Sequence, residues 1–507
     1  MPTHRSTSVT DKHPLPHAPG GERTSPAVLA YLTTVGAVVL LMMVFGLLMR
    51  LVQGGLIAIP PARFYELLTL HGAGMVGIAA LGGAAVMWHF LGRYVRLSGA
   101  VFVANLVLFL IGVAMILAGV LGGGFAGAWT FLYPLPAQSL GVWGVGAAAL
   151  FVGGLLVIGT GFLLLYLDVA RAIIGRYGNL ARALGWPQLF GHDDGRAPPV
   201  AVVASTMVLI VNTIGITTGA AILAMTLFNL YVPSFAIDPL LAKNMIYFFG
   251  HVFINATIYM AVIAVYEILP RYTGRPWKSN KVLLAAWTAS VFMVMTNYPH
   301  HLLMDFAMPT WALIAGQVIS YASGLPVLVV TVFGALINVY RSGIRWDLAS
   351  GLLLLSIFGW GAGVIPAIID ATVVVNQVMH NTLWVPGHFH TYLLLGMMSM
   401  VLGFMYYLGR GEAAVREAGT DGCIEPAIDW RIDRLSFWVF AVAGLGFVAA
   451  FLGGGQAGAP RRYAEHLAQW LPYDRIGALF AGLVIAATLV FVGRFLLRLR
   501  VVRGRPA

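Results

Sequence analysis

Residues 380–409 read HNTLWVPGHFHTYLLLGMMSMVLGFMYYLG. From Trp384 to Gly409 the only ionisable side chains near neutral pH are two histidines, His388 and His390. This run exceeds the about 20 apolar residues that an α-helix needs to cross a bilayer. Because an ionisable group inside a bilayer is costly and usually functional, the stretch predicts a membrane-spanning helix that carries part of a site.

Similar apolar stretches occupy most of the chain. It has 507 residues, of which 59% are hydrophobic and 10% are charged, whereas a soluble domain carries about a quarter charged residues. The sequence therefore predicts an all-α integral membrane protein, a bundle of twelve transmembrane helices. Their expected spans are 27–51, 66–91, 99–123, 141–167, 200–230, 240–269, 281–300, 310–340, 347–370, 384–409, 435–454 and 474–497.

The net charge of +11 could indicate a nucleic-acid partner, but the positions of the basic residues favour a membrane explanation. With an even number of spans both termini share a side, and the loops on that side hold most of the basic residues, whereas the 124–140 loop has no charge. By the positive-inside rule both termini are cytoplasmic, and we expect no nucleic-acid partner. The basic residues counted are Arg93, Arg96, Arg271, Arg275, Lys278, Lys281, Arg341, Arg345, Arg494, Arg498, Arg500, Arg503 and Arg505.

The domain organisation expected from the sequence is simple. Residues 1–25 predict a disordered polar tail, residues 26–500 a single twelve-helix catalytic domain, and residues 501–507 a basic tail. The cytoplasmic loops 168–199 and 410–434 are too short for further catalytic domains. The single cysteine, Cys423, excludes a disulfide within this chain. The localisation expected is the inner (plasma) membrane of a bacterium or archaeon.

Six of the thirteen histidines fall at membrane depth. The alternating directions of the helices bring all six to a similar depth near the outer leaflet. Each alone could be a histidine bonded to a neighbouring carbonyl, but six in one layer indicate metal ligands, since neutral imidazole is the commonest protein ligand for metals. The six are His71, His251, His300, His301, His388 and His390.

Spacing divides these ligands among metals. His388 and His390 are two residues apart, hence about 200° apart around a helix, so they face different cofactors. His71 could be the second axial ligand of one of these cofactors. His300 and His301 end one helix and with His251 could form a three-imidazole site.

Several motifs resemble those of the haem–copper oxidase superfamily, catalytic subunit I. The segment RFYELLTLHG at 63–72 resembles its low-spin haem helix, and HNTLWVPGHFH at 380–390 resembles its paired haem-ligand helix. Gly250-His251 and Tyr298-Pro299-His300-His301 resemble the copper-ligand segments, and Pro460-Arg461-Arg462-Tyr463 resembles the arginine pair that binds haem propionates. The first two segments are most similar to those of the B-type branch of this superfamily.

The resemblance implies three metal centres. His71 and His390 would ligate a low-spin haem, His388 a high-spin haem, and His251, His300 and His301 a third metal, copper or non-haem iron. Arg461 and Arg462 would pair with haem propionates, for which guanidinium groups are the preferred bidentate partners. His380 would lie near the propionates, and Phe389 could pack between the haems.

One position departs from the family pattern. Oxygen-reducing A and B types carry a tyrosine four residues after the first copper histidine, where this chain has Asn255; C types carry theirs near positions 293–294, where it has Met293 and Val294. The tyrosine supplies one of the four electrons that cleave O2, whereas reduction of two NO to N2O takes two electrons. The departure therefore favours a nitric oxide reductase branch, in which Asn255 coordinates weakly or donates a hydrogen bond to a ligand.

Alternatives remain open on the sequence. Tyr298 or Tyr259 could substitute for the missing tyrosine in a cytochrome c oxidase that reduces O2 and translocates protons. Familiar NO reductases have a glutamate beyond the first metal histidine, which Asn255 also replaces. Twelve helices with buried polar groups could form a secondary transporter, although the paired halves and broken helices of such proteins are missing.

The electron donor is inferred from motifs that the chain lacks. It has no CxxCH motif and no cysteine pair for copper, so electrons would come from a subunit with a periplasmic domain of cupredoxin or cytochrome c type, or from cytochrome c itself.

A cytoplasmic proton path could begin at polar residues of two helices, or these residues could serve only in helix packing. They are Ser320, Tyr321 and Ser323, with Tyr266 and Glu267.

Overall fold

Twelve helices long and apolar enough to cross a membrane account for most of the chain in the computed structural model, which describes residues 24–191, 197–409 and 430–503. Residues 1–23 of the expected N-terminal tail, Cys423 and Arg505 lie outside the described residues. The predicted all-α, twelve-helix class is confirmed. The helices are α1 Pro26–Gln53, α2 Pro61–Leu91, α3 Gly99–Gly122, α4 Val145–Tyr177, α5 Val200–Tyr231, α6 Pro239–Thr273, α7 Lys281–Leu302, α8 Thr310–Val339, α9 Leu348–Asp370, α10 Trp384–Gly409, α11 Arg431–Gln456 and α12 Leu471–Leu499.

The largest difference from the expected spans lies at the end of α4, which continues ten residues past the predicted end at 167. Asp168, the first charged residue, is held in the helix by Arg171 at 2.6 Å and accepts the backbone N–H of Ser98 at 2.8 Å. The helix ends only where Gly178 adopts φ +83°, a left-handed conformation that suits glycine. Loss of hydropathy marks the end of the apolar span, while the helix itself continues.

Three of the four helices that carry predicted ligands are among the most buried in the bundle, whereas the apolar window of the fourth, α7, is 44% buried. The apolar windows of α2, α6 and α10 are 67%, 83% and 89% buried, against 28% for α3 and α8. At the crossing of α2 and α6, a Cβ on Gly83 would lie 3.0 Å from Cβ of Met260, so the glycine allows these two helices to approach closely. Lipid is thereby kept away from the histidine-bearing faces.

Two local irregularities position histidines that the sequence predicts to be ligands. The α-helical part of α7 ends at Thr296, and a 3-10 turn, Tyr298–Leu302, carries His300 and His301. In α10 a π-helical stretch, Thr391–Met398, follows His390 directly. Such π-turns are often found at functional sites, and this one changes the helical register just beyond the two histidines.

Candidate cofactor site

One internal cavity runs between the central helices and is lined by all of the predicted cofactor-binding and metal-binding residues. It extends from α1 and α2, past α10, to the end of α7, so that the two expected haem positions and the three-imidazole site share one space. The predicted site residues that line it are His71, His251, Asn255, His300, His301, His380, His388, His390, Arg461 and Arg462.

His71 and His390 face one another across this cavity. Their ring centroids are 6.3 Å apart and their planes differ by 23°. Nδ1 of His71 donates to the carbonyl of Met42, and Nδ1 of His390 donates to the carbonyl of Pro386, both at 2.7 Å. With Nδ1 protonated, each neutral ring keeps a free electron pair on Nε2.

This arrangement fits a metal held between two axial imidazoles. Bonds of about 2 Å from each Nε2 to a shared metal would place the two ring centroids roughly 6 Å apart. Carbonyl acceptors on the outer nitrogens are the usual way in which a protein fixes the tautomer of a ligating histidine. The residues therefore fit a bis-histidine haem.

Close helix packing holds the His71 ring in place. A Cβ on Gly46 of α1 would lie 2.8 Å from Cε1 of His71, closer than a side chain tolerates, so the absence of a side chain lets α1 approach the ring. Across the cavity, Phe451 stacks on His390 with centroids 5.1 Å apart, and Phe447 meets the same ring edge-on at 5.2 Å.

His388 points away from the His71–His390 pair, as the two-residue spacing predicts. The ring of Tyr392 meets it edge-on, with centroids 5.1 Å apart. The backbone of Gly363 is its polar neighbour, yet its buried Nδ1 makes no hydrogen bond within the described residues. His388 also lies close enough to His300 to interact with it electrostatically. Its position fits the single protein ligand of a second haem on the side of the three-imidazole site.

His251, His300 and His301 come together as one cluster. One ring nitrogen from each lies within 4.8 Å of the others. Nδ1 of His251 is 3.2 Å from Nε2 of His301, which is 3.1 Å from Nε2 of His300. Three imidazole nitrogens at this separation are suited to copper or iron, and all three side chains line the cavity.

Side chains around the cluster fix its rings from outside. Nδ1 of His300 and Oγ of Ser320 are 2.6 Å apart, and Tyr247 stacks on His301 with centroids 5.6 Å apart. Ser320 and Ser323, expected as candidates for a cytoplasmic proton path, thus lie beside the histidine cluster and its neighbour Asn297. Tyr266 instead pairs with Thr331 at 2.5 Å, and Glu267 accepts from Tyr94 at 2.8 Å.

Asn255 and the two candidate tyrosines occupy different places. Nδ2 of Asn255 donates to the backbone carbonyl of His251 at 2.8 Å and lies 3.3 Å from its Nε2. The hydroxyl of Tyr298 donates to Asn244 at 2.9 Å, and Tyr298 is not among the residues of the described chain that line the cavity. Tyr259 does line it, as does Tyr392, which the sequence analysis did not select.

The basic corner of the cavity is built from two loops joined by backbone hydrogen bonds. The N–H of Leu383 donates to Ala459 at 2.8 Å, and that of Arg461 donates to Asn381 at 2.9 Å. Burial, with the charge of neighbouring Arg462, lowers the pKa of Arg461 to about 10. Burial and the two arginines lower the pKa of His380 to about 4. Two neighbouring guanidinium groups at a cavity wall, of which Arg461 is partly buried and Arg462 is exposed, fit carboxylates such as haem propionates.

Other contributors carry little signal in the sequence. The carbonyls of Met42 and Pro386 act through the backbone, and Trp129, which stacks with Phe389 at 6.4 Å between centroids, reaches the site from the uncharged loop at 124–140. Asn297 could have been considered because it lies three residues before His300. However, an asparagine at a helix end is ordinarily a cap.

Comparison with known proteins gives one family for almost the whole chain. The sequence pattern of the family "Cytochrome C and Quinol oxidase polypeptide I" matches residues 26–485. A cytochrome c oxidase subunit 1 from Corynebacterium diphtheriae is 26% identical over 475 residues, which are 87% of this chain and 76% of that protein. One from Cereibacter sphaeroides is 25% identical over 307 residues, 59% of this chain and 48% of that protein.

Two further comparisons concern coverage and fold. A cytochrome c oxidase subunit 1 from Thermus thermophilus is 27% identical over 191 residues, so the match spans only about a third of that relative, 33%, and 34% of this chain. A haem–copper terminal oxidase dimer solved by cryo-electron microscopy superposes with a TM-score of 0.72 at 20% identity, over 95% of this chain and 85% of that chain. At this identity the likeness shows the fold.

Proposed function

This chain belongs to the cytochrome c and quinol oxidase polypeptide I family, subunit I of haem–copper oxidases, and we propose that it is the catalytic subunit of an oxidoreductase that converts nitric oxide to nitrous oxide. It is a multi-pass protein of the plasma membrane. Family membership sets aside the secondary transporter considered from the sequence. The proposed reaction is 2 NO + 2 H⁺ + 2 e⁻ → N2O + H2O.

The proposed cofactors are a low-spin haem on His71 and His390, a high-spin haem on His388, and a third metal on His251, His300 and His301. Bound there, they would supply electron transfer and a pair of redox metals at which NO binds. The chain itself holds His71 and His390 in fixed tautomers, offers Arg461 and Arg462 to the propionates, and surrounds the site largely with apolar side chains.

The choice of NO as the substrate rests on the side chains that surround His251. The ring nitrogen that faces away from the cluster, Nε2, is bordered by the amides of Asn255, at 3.3 Å, and Asn297. The family's oxygen-reducing members place a tyrosine at the position of Asn255. The hydroxyl of Tyr298 is bound to Asn244. A site without a tyrosine on this histidine suits a two-electron reaction.

Reduction of O2 to water with proton translocation is the second candidate. It is favoured by the names of the relatives, which are cytochrome c oxidases, and by Tyr259 and Tyr392, which line the cavity. Either phenol could in principle deliver the additional electron that O2 cleavage needs. The two candidates therefore differ in whether turnover depends on a tyrosine.

The experiment compares turnover of NO and O2 by the reduced, purified complex and by its Tyr259→Phe, Tyr392→Phe and Asn255→Tyr variants. We expect NO to be reduced to N2O faster than O2 is reduced to water. Both phenylalanine variants should keep NO turnover, and Asn255→Tyr should not raise it, because the two-electron step requires no tyrosine. Metal analysis should accompany the assay, since iron at the three histidines would further favour NO.

Rapid, cyanide-sensitive consumption of O2 with negligible NO activity would contradict the proposal. Loss of that O2 activity in Tyr259→Phe or Tyr392→Phe alone would then identify the redox tyrosine. Tyr298→Phe is the matched control, because its hydroxyl bonds to Asn244 and should affect neither activity.

Electron supply and orientation complete the proposal. We propose that the cofactor layer lies near the outer face, with both termini cytoplasmic. Electrons would arrive from a partner subunit with a periplasmic cupredoxin or cytochrome c domain, or from cytochrome c.

A further inference from the structure

Asn297 directly follows the α-helical part of α7, and its side chain reaches the ring of His251 on α6. Its backbone N–H caps α7 by donating to Met293 at 3.0 Å. The residue is only 3% exposed, and the 3-10 turn that carries His300 and His301 begins at the next residue. Its side-chain amide lies beside Nε2 of His251, the ring nitrogen that faces away from the cluster.

The two ring nitrogens of His251 have different neighbours. Nδ1 faces the cluster, 3.2 Å from Nε2 of His301, and would be the metal-binding atom. Nε2 faces the Asn297 amide, one terminal atom of which lies 2.5 Å away. A neutral imidazole that binds a metal through Nδ1 must carry its proton on Nε2. That proton needs an acceptor, because an unbonded buried N–H is costly.

The Asn297 amide can meet this need in one of its two orientations. With Nδ2 donating to Oγ of Ser323 at 2.6 Å, its carbonyl oxygen faces Nε2 and can accept the proton. In the reverse orientation Nδ2 lies 2.5 Å from Nε2, and the carbonyl accepts from Ser323 at 2.6 Å. The reverse orientation also places Nδ2 near the carbonyls of Met293 and Val294, at 3.1 and 3.2 Å. It suits a His251 that has its proton on Nδ1, which cannot then bind a metal.

Asn255, the other amide near Nε2, does not fill this role. Its Nδ2 group is a donor, lies 3.3 Å from Nε2, and already donates to the backbone carbonyl of His251 at 2.8 Å. Because this group is a donor, it cannot accept the proton that Nε2 carries when Nδ1 binds a metal. The acceptor must therefore come from Asn297.

We propose that Asn297 is a positioning residue whose carbonyl accepts the Nε2 proton of His251 and so presents Nδ1 to the metal of the three-histidine cluster. Ser323 favours that orientation because its hydroxyl donates to the backbone carbonyl of Ser320 at 3.2 Å, which leaves its oxygen to accept from Nδ2 of Asn297, and loss of the metal allows the amide to turn over. The inference rests on the metal-binding role proposed for the cluster and is independent of the choice between NO and O2.

The test is metal retention in the purified haem-loaded complex, measured as copper and iron per haem after dialysis against increasing EDTA. Asn297→Leu keeps the size and removes the acceptor, and we expect the EDTA concentration that strips the metal to fall by about 10–100-fold, the usual effect of losing such a partner. Asn297→Asp keeps an acceptor and should retain the metal nearly as the wild type does. Asn244→Leu is the matched control, since Asn244 bonds only to its own helix and to Tyr298 and Met308 in the described chain.

Ser323 provides a second test that leaves Asn297 in place, in case Asn297→Leu does not fold. Ser323→Ala frees the amide to turn, so it should weaken metal retention in the wild-type background. It should have little effect in Asn297→Asp, because a carboxylate has no donor end to turn. Wild-type metal retention in Asn297→Leu with intact haem spectra would overturn the proposal, as would equal metal loss in Asn297→Asp. Wild-type protein without metal at the cluster would instead contradict the proposed cofactor set.

Discussion

The guanidinium of Arg50 lies 4.4 Å from the centroid of the Phe451 ring, and Phe451 stacks on the imidazole of His390. Behind this stack, Asp474 binds Arg50 with one carboxylate oxygen and accepts from Nδ1 of His466 at 2.7 Å with the other. Nε2 of His466 and the carbonyl of Pro460, the residue before the arginine pair, are 3.0 Å apart. Buried charge is thus connected both to the His390 side of the cavity and to its basic corner.

Asp474→Asn should destabilise the protein by about 3–5 kcal/mol, the usual cost of removing one partner of a buried ion pair. It should also raise the midpoint potential of the low-spin haem, because an uncompensated positive charge at Arg50 favours the reduced haem. Redox titration followed at the low-spin absorbance band measures the shift.

Asp433→Asn is the control for this prediction. Asp433 is equally buried and pairs with Arg494 at 2.7 Å. Its other partners in the described chain are Tyr406 and Arg498, which are not part of the Arg50–Phe451–His390 stack. It should destabilise the protein comparably without moving the potential. A shift of similar size in both variants would show that the potential responds to general loosening.

Replacing His71 or His390 by alanine should remove the low-spin haem spectrum, because the two rings face one another across one metal position. His388→Ala should remove only the high-spin, CO-binding signal, since that ring points to the other side of α10. Reduced-minus-oxidised and CO-difference spectra measure both. Survival of both haems in His390→Ala would contradict this division of ligands.

Gly46→Ala should disturb the low-spin haem although Gly46 has no side chain in the site. The added Cβ would lie 2.8 Å from the His71 ring, and overpacking of this kind costs about 1–3 kcal/mol. We expect a shifted low-spin band and lower haem occupancy. Gly146→Ala in α4, where an added Cβ meets nothing within 4 Å, should leave the spectrum unchanged.

The proposed orientation predicts where reporter fusions lie. Fusions after Gly124 should map to the outside, and fusions after Arg96 or Arg275 to the cytoplasm, because basic loops are retained inside. Alkaline phosphatase and green fluorescent protein fusions distinguish the two sides. The opposite pattern would place the histidine layer near the cytoplasm and remove the basis for a periplasmic electron donor.

The twelve spans and the predicted grouping of the histidines could be read from local patterns in the sequence. Hydropathy and helical periodicity are local properties, so apolar runs locate the helices, and the two-residue spacing of His388 and His390 predicts opposite faces. The end of α4 was missed for the same reason, because hydropathy reports the edge of the apolar layer and not the last helical residue.

For His71, His300 and His251, the ring nitrogen that faces the proposed metal position follows only from how the helices pack. That choice depends on the group that reaches the other nitrogen, and these groups come from distant parts of the chain: the carbonyl of Met42 for His71, Ser320 for His300, and Asn297 for His251. Backbone carbonyls have no sequence signature, and an asparagine at a helix end resembles an ordinary cap. Their roles arise when helix packing, made possible at His71 by the missing side chain of Gly46, places a single acceptor or donor within hydrogen-bonding distance of a buried ring.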